Sequence, residues 1–231
     1  MIPLRLVVIL ALVAATPSYA QKYEPHVGQA GKDVIWVPTP DEVVERMLRM
    51  AQVTPNDFVV DVGAGDGKIP VMAAKKFGAR ALGIEYNPDM ARHAQRNAEK
   101  AGVAARARIV QGDIFVTDFT QATVLTMYLL PALNLKLRPQ ILAMRPGTRV
   151  VSHSFNMDDW EPDESSSMDG RRAHFWVVPA KVGGTWSLEL TGGGAAEKTE
   201  LTLEQKYQKL EGTVGLGAAV LGGLREPRLR G

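Results

Sequence analysis

No cysteine occurs among the 231 residues. Disulfides, thiolate zinc sites, iron–sulfur clusters and cysteine nucleophiles are therefore excluded. There is no lysine- or arginine-rich run, and the formal net charge is only +2. That excess is too small to argue for a nucleic-acid or acidic-membrane partner. His26, His93, His153 and His174 are scattered without metal-ligand spacing. No apolar run reaches the ~20 residues that a membrane span needs. What is present, 45% hydrophobic and 23% charged residues, suits a globular protein of one domain, or of one domain with a small appendage.

The first twenty residues read as a secretory leader. Arg5 supplies the positive start, residues 6–15 a short apolar stretch, and Ser18 and Ala20 the small residues before a cut. Gln21 would then begin the mature chain, with a periplasmic location if the source is bacterial. An uncleaved anchor is the competing reading. Absence of cysteine is compatible with export but does not establish it.

Residues 21–38 lack clear periodicity and read as an extended lead-in. "TPDE" then opens a helix, with Thr39 as cap and Glu42 closing a capping box. From Phe58 onward, apolar runs alternate with helical patterns as far as Phe155. The runs are "FVVDV", "ARALGIE", "ARIV", "ATVLTMYLL" and "GTRVVSHSF". Apolar strands alternating with helices predict a mainly parallel sheet covered on both faces, an α/β class fold. Residues 156–170 are expected to be a polar, acidic loop. Beyond it, "RRAHFWVVPA", "TWSLEL" and "TELTLEQKYQKLEG" suggest antiparallel strands. The organisation expected is a leader (1–20), a lead-in (21–38), a core (39–170) and a β-rich extension (171–231). The extension either completes or covers the sheet.

The first strand runs into "GAGDG", with Gly63, Gly65 and Gly67 and two acids, Asp61 and Asp66. Glycine turns after strands commonly cradle phosphates, yet Asp66 would repel one at a helix N-terminus. A P-loop is excluded because no Gly-Lys-Ser/Thr follows. A nicotinamide fingerprint needs its third glycine at position 68, which is Lys68. A tight strand-to-helix turn with no ligand is the bland alternative.

S-adenosylmethionine fits the acids. It has no phosphate, and its sulfonium and ammonium outweigh its one carboxylate. Three acids fall at successive strand ends: Asp61, Glu85 and Asp113. Asp61 can draw the ammonium, Glu85 can accept from both ribose hydroxyls, and Asp113 can accept from the adenine amino group beside the backbone of Ile114. Helix capping and solvated loops are the competing account of these acids.

"VVDVGAGDG", "GIEYNPDM" and "QGDIF" resemble the class I methyltransferases that use S-adenosylmethionine. "WVPTPDEVVERML", "ATVLTMYLLPALNLKLRP" and "PGTRVVSHSF" narrow the resemblance to one branch. That branch holds the mitochondrial lysine methyltransferases acting on the ATP synthase c-subunit and the adenine nucleotide translocase, with bacterial relatives. It covers roughly residues 34–162. The resemblance implies a Rossmann-like sheet of seven strands over residues 58–190. It implies cofactor contacts from Asp61, Gly63, Ala64, Gly65, Glu85, Asp113 and Ile114, with Pro38 and Thr39 closing over the methionyl end. It also implies transfer of a methyl group to a protein lysine.

Such transfer is an in-line displacement in which the protein chiefly aligns donor and acceptor. "YLLP" stands where methylases of amide and adenine nitrogens usually read "NPPY" or "DPPY", which argues against those substrates. Tyr128 could orient an amine there, or be a buried strand aromatic. His153, ending the fifth strand, could accept a proton, or be a half-buried strand histidine. The acids Asp158, Asp159, Glu161, Asp163 and Glu164 could attract a basic peptide, or be a solvated loop around an inward-folded Trp160. A non-catalytic exported module binding an adenosyl ligand or a partner is the alternative function.

Overall fold

In a computed structural model, the structure describes residues 23–192, 195–216 and 219–223, with Leu229. The leader expected over residues 1–20 lies outside them. Alternation of strands and helices follows the apolar pattern: α1 Asp41–Met50, β1 Phe58–Val62, α2 Lys68–Phe77, β2 Arg80–Glu85, α3 Pro88–Lys100, β3 Ala107–Gln111, β4 Val124–Met127, α4 Pro131–Leu142 and β5 Arg149–His153. Two antiparallel strands, β6 Glu164–Met168 and β7 Arg171–Val177, complete a seven-stranded sheet ordered β3-β2-β1-β4-β5-β7-β6. The order reverses between β1 and β4, and a cleft opens at the carboxyl ends of parallel strands at such a reversal.

Strand periodicity of two assigns the faces. Val59, Val124 and Val151 pack with α1, α2 and α3. Val60, Val62, Leu125, Met127 and Val150 pack under α4 with Trp160 and Trp176. Asp61 shares the parity of Val59 and therefore lies on the α1–α3 face. There it stands opposite Thr126 in the β1–β4 register. Asn87 caps α3 as its sequence suggests, accepting from the backbones of Asp89 and Met90 at 2.9 and 3.0 Å.

Three expectations need correction. Thr39 does not cap α1. Pro40 holds the N-cap position without a side-chain hydrogen bond, because the Thr39 hydroxyl has a long-range partner described below. The acidic stretch is not all loop, since β6 lies within it. Its strand signal is weak because Ser166 is the one buried position between exposed neighbours. The hairpin turn was legible, however: Asp169 and Gly170 both have positive φ, and Met168 pairs with Arg171, the geometry that favours Asp-Gly. Finally, "TWSLEL" is not in the main sheet. It belongs to β8 Gly184–Gly192, which joins β9 Ala195–Lys206, β10 Lys209–Leu216 and β11 Ala219–Gly223 in a separate four-stranded antiparallel sheet ordered β11-β10-β9-β8. The main sheet thus runs through β7, and position 170 falls in the hairpin that closes it.

The acidic loop ties this second sheet to the first. Asp159 takes Arg138 at 2.5 Å, Lys206 at 3.2 Å and the Tyr207 hydroxyl at 3.0 Å. Glu161 pairs with Lys209 at 2.8 Å, and Asp163 accepts from the Val177 backbone at 2.9 Å. Three of the five acids, Asp159, Glu161 and Asp163, are thus engaged within the chain. Trp160 folds inward to full burial, stacked near Tyr207 and tilted against Trp176.

Candidate active site

Asp61 is carried to the reversal point by the buried strand β1 and is itself 2% exposed. Its carboxylate accepts from the Thr126 hydroxyl at 2.7 Å. Burial pushes its pKa up to about 7, with Asp66 and Glu85 nearby adding to the rise. Burial also raises Asp66 and Glu85. Three carboxylates are thus crowded together with their charged forms disfavoured, a donor-poor, acceptor-rich place that a cation would relieve.

The glycine turn brings backbone to these acids. Gly63, Gly65 and Gly67 have φ of +82°, +53° and +79°, which L side chains rarely adopt. The Gly63 and Ala64 amides bond to the Ile84 carbonyl at 2.9 and 3.0 Å, pinning the turn to β2. Glu85, ending β2, donates nothing and accepts twice: from the Gly65 amide at 2.9 Å and from the Asn87 amide at 2.9 Å. At Gly65 a Cβ would fall 2.5 Å from the Trp36 indole nitrogen. The turn is therefore sandwiched between Glu85 and an aromatic from the N-terminal segment.

A cleft of about 280 Å³ lies over this rim. Pro38, Thr39, Asp61, Gly63, Ala64, Gly65, Glu85, Asp113, Ile114 and Tyr128 all line it. His153 stands behind that wall: its ring centroid is 4.0 Å from that of Tyr128. Asp113, just past β3, accepts from the Phe115 amide at 2.9 Å and from Lys32 at 2.7 Å. The Lys32 ammonium holds its carboxyl below the usual range.

His153 is 3% exposed, and its Nδ1 lies 3.1 Å from the Thr39 hydroxyl. Its Nε2 is buried with no hydrogen-bond partner among the described residues. Burial, with Arg171 adding, lowers its pKa to about 4. A side-chain ammonium titrates near 10.4, so passing its proton to such a ring is uphill by roughly six pK units, about 8 kcal/mol. The sequence suggested a proton acceptor; the environment instead makes His153 a neutral brace for Tyr128. Thr39→Val, which removes the hydroxyl partner of Nδ1, is expected to slow turnover by about tenfold, in line with ~1–2 kcal/mol for a buried hydrogen bond. Affinity for adenosine, which lacks the methionyl end that Thr39 is expected to close over, should stay within about twofold, and Thr39→Ser should restore the rate. Steady-state kinetics beside a binding titration checks this.

Several contributors were missed in the sequence. Trp36, Tyr86, Leu129, Leu133 and Phe155 line the cleft. Asn134, fully buried, donates to the backbone carbonyls of Phe155 and Asn156 at 3.3 and 3.2 Å. It thereby fixes the turn through Ser154 (φ +63°) that presents Phe155. Only Pro131, opening α4 after "YLL", hinted at a wall here. Among the described residues no group of three or more His, Asp or Glu could hold a metal ion. Among them, too, no helix is long and apolar enough to cross a membrane.

A Rossmann-like sheet with this strand order, a glycine turn at the reversal and acids at three strand ends defines a class I S-adenosylmethionine-dependent methyltransferase. The comparisons with known proteins agree. The ANTKMT methyltransferase domain matches residues 61–164. A protein-lysine N-methyltransferase of Saccharolobus islandicus is 45% identical over 155 residues, covering 66% of this chain and 92% of that protein. The chain belongs to this methyltransferase family. The mouse lysine N-methyltransferase of the ATP synthase c-subunit is 30% identical over 132 residues, and the match spans 57% of this chain and 53% of that enzyme. A solved Salinibacter ruber structure, described as an RNA methyltransferase with S-adenosyl-L-homocysteine, is 46% identical with a TM-score of 0.62; it covers 63% of this chain and 96% of that one.

Proposed function

We propose that the protein transfers a methyl group from S-adenosylmethionine to the side-chain amine of a lysine in a protein, with this division of labour. Asp61 draws the ligand's ammonium, directly or through water. Glu85 accepts from the ribose hydroxyls with the lone pairs left by Gly65 and Asn87. Asp113 and the Ile114 backbone receive the adenine, and Pro38 and Thr39 close the methionyl end. The bound cofactor supplies an activated methyl on a sulfonium.

The acceptor wall carries the lysine reading. Tyr128 and Phe155 stand 6.2 Å apart at 18°, with Leu129 and Leu133 beside them. The wall suits a slender aliphatic chain and has no amide side chain on β4 to hold a planar base. Such a place is dry, which lowers an amine's pKa and favours the neutral nucleophile. The amine's proton leaves to solvent as the chain enters, since His153, with its lowered pKa, is too weak a base to take it. The Tyr128 hydroxyl can then orient the lone pair. Supporting the reading, the protein-lysine N-methyltransferase of S. islandicus matches over nearly its whole length.

The likeness to the S. ruber RNA methyltransferase supports RNA as a second substrate reading. Labelled S-adenosylmethionine incubated with extract decides: the label should resist ribonuclease, yield to protease and be recovered as Nε-methyllysine. Label lost to ribonuclease overturns the proposal, and no incorporation leaves a binding module. From the leader pattern we infer a location outside the cytoplasm, or anchored at its membrane, and a substrate in that compartment. A compartment reporter fused to the first thirty residues tests this, and a cytoplasmic signal contradicts it.

A further inference from the structure

The segment read from sequence as a featureless lead-in forms one wall of the cleft. Residues 29–39 all face the cavity, opposite the strand-end acids. Within it, residues 28–36 fold into a small hairpin. The Gly28 amide bonds to the Trp36 carbonyl at 2.9 Å, Trp36 to Gln29 at 2.9 Å, and Gly31 to Val34 at 2.8 Å. Gly31 is required at the turn, because a Cβ there would stand 2.4 Å from the Val34 carbonyl oxygen.

The hairpin has little apolar hold on the body. Ile35 and Val37 are 61% and 40% exposed. Two of its contacts with the rim lie on the expected nucleoside path: the Trp36 indole against Gly65, and Lys32. The Lys32 ammonium reaches Asp113 at 2.7 Å and lies 5.0 Å over the Tyr86 ring. With the Phe115 amide on one oxygen and Lys32 on the other, both oxygens of Asp113 are oriented. A carboxylate oxygen has a second lone pair, so Asp113 can still accept from an amino group.

We propose that Lys32 is a positioning residue for the methyl donor: it latches the N-terminal hairpin across the cleft and orients Asp113, and its release sets the rate at which nucleoside exchanges. The inference rests on the assignment of Asp113 to the adenine end. The pair is solvent-accessible, and such pairs are weak and screened. The latch therefore changes exchange a few-fold and loses its grip in salt.

Stopped-flow tryptophan fluorescence on the full chain, with Trp36 as the reporter at the cleft, measures departure of S-adenosylhomocysteine. Lys32→Met is expected to raise the dissociation rate by about three- to fivefold. In the unmodified chain the rate should climb between ~0.1 and ~1 M salt, as the Debye length falls from about 10 to about 3 Å; in Lys32→Met it should not. Gly31→Ala, which breaks the hairpin turn and keeps the lysine, should also accelerate release. Lys76→Met removes a cation that pairs with Glu45 at 2.6 Å away from the cleft, and should leave the rate within about twofold. An unchanged or slower rate in both Lys32→Met and Gly31→Ala overturns the latch. Normal exchange kinetics with those two variants would do so while leaving the cofactor reading intact. A chain that binds no S-adenosylhomocysteine at all overturns that reading and the latch with it.

Discussion

Glu85→Ala is expected to weaken S-adenosylhomocysteine binding by about 10²- to 10⁴-fold. Both backbone amides held by this carboxylate, those of Gly65 and Asn87, lose their acceptor. The lone pairs proposed for the ribose go with them. A hydrogen bond to a charged group is worth about 1.5–3 kcal/mol, and each ~1.4 kcal/mol is tenfold, so two such bonds account for the range. Stability should change far less. Burial already raises the pKa of Glu85, so in the free protein its desolvated charge offsets much of what its hydrogen bonds contribute. Glu85→Gln should fall between the two, because an amide keeps one acceptor oxygen but turns an NH₂ toward one of the two amides. Calorimetric titration with parallel melting curves checks both halves. Affinity within threefold of the unmodified chain would remove Glu85 from the site.

Asp61→Asn should make the free protein more stable and the nucleoside complex weaker. In the folded chain the Asp61 pKa is about 7, against ~3.9 for an unperturbed aspartate. The sign follows from proton counting. Between about pH 4 and pH 7 the folded state holds a proton that the unfolded state has lost, so stability declines across that window and levels off above it. Three pK units correspond to about 4 kcal/mol, the largest gain Asn could bring at pH 8; near pH 4 the two proteins should melt alike. Asn still accepts from the Thr126 hydroxyl, so the hydrogen bond of 2.7 Å need not be lost.

Ligand affinity runs the other way. An ammonium beside Asp61 lowers its pKa, so binding releases a proton. Affinity for S-adenosylmethionine should therefore rise with pH up to about 7 and then flatten. In Asp61→Asn the profile should be flat and, at pH 8, about ten- to a hundredfold weaker, as for one lost charge-assisted contact. A destabilised variant, or a wild-type affinity indifferent to pH between 5 and 8, would contradict the role.

The parts of the site legible in the sequence are those whose signal is local. The glycine turn announces itself because three positive φ angles in five residues leave little choice of side chain. Glu85 and Asp113 were locatable because apolar strands end where polar residues begin. Asn87 and Pro88 mark the start of α3 for the same local reason. What escaped depends on distance along the chain. Thr39 sits in a "TPDE" pattern that is a sound capping box, yet its hydroxyl goes to His153, 114 residues away; nothing in the local pattern distinguishes the two uses. Lys32 and Trp36 lie in a segment without periodicity, since a hairpin of nine residues against a rim needs none. Asn134 looked like an ordinary helical residue, although it holds the turn that presents Phe155. The strand β6 hid because its one fully buried side chain is a serine, with Met168 only partly buried beside it, whereas the Asp169-Gly170 turn that follows is a local signal. His153 was seen, but its burial was not, and burial turns a candidate base into a neutral brace.

The central claim is electrostatic: carboxylates on one rim select an adenine nucleoside that is positively charged and free of phosphate. Calorimetric titration of the full chain at pH 8 with S-adenosylmethionine, adenosine and adenosine monophosphate tests it directly. The account predicts tightest binding for S-adenosylmethionine, weaker binding for neutral adenosine, and for the monophosphate a loss of at least about 100-fold relative to the first, as expected for an anion placed among unneutralised carboxylates. A monophosphate that binds as well as S-adenosylmethionine would contradict it.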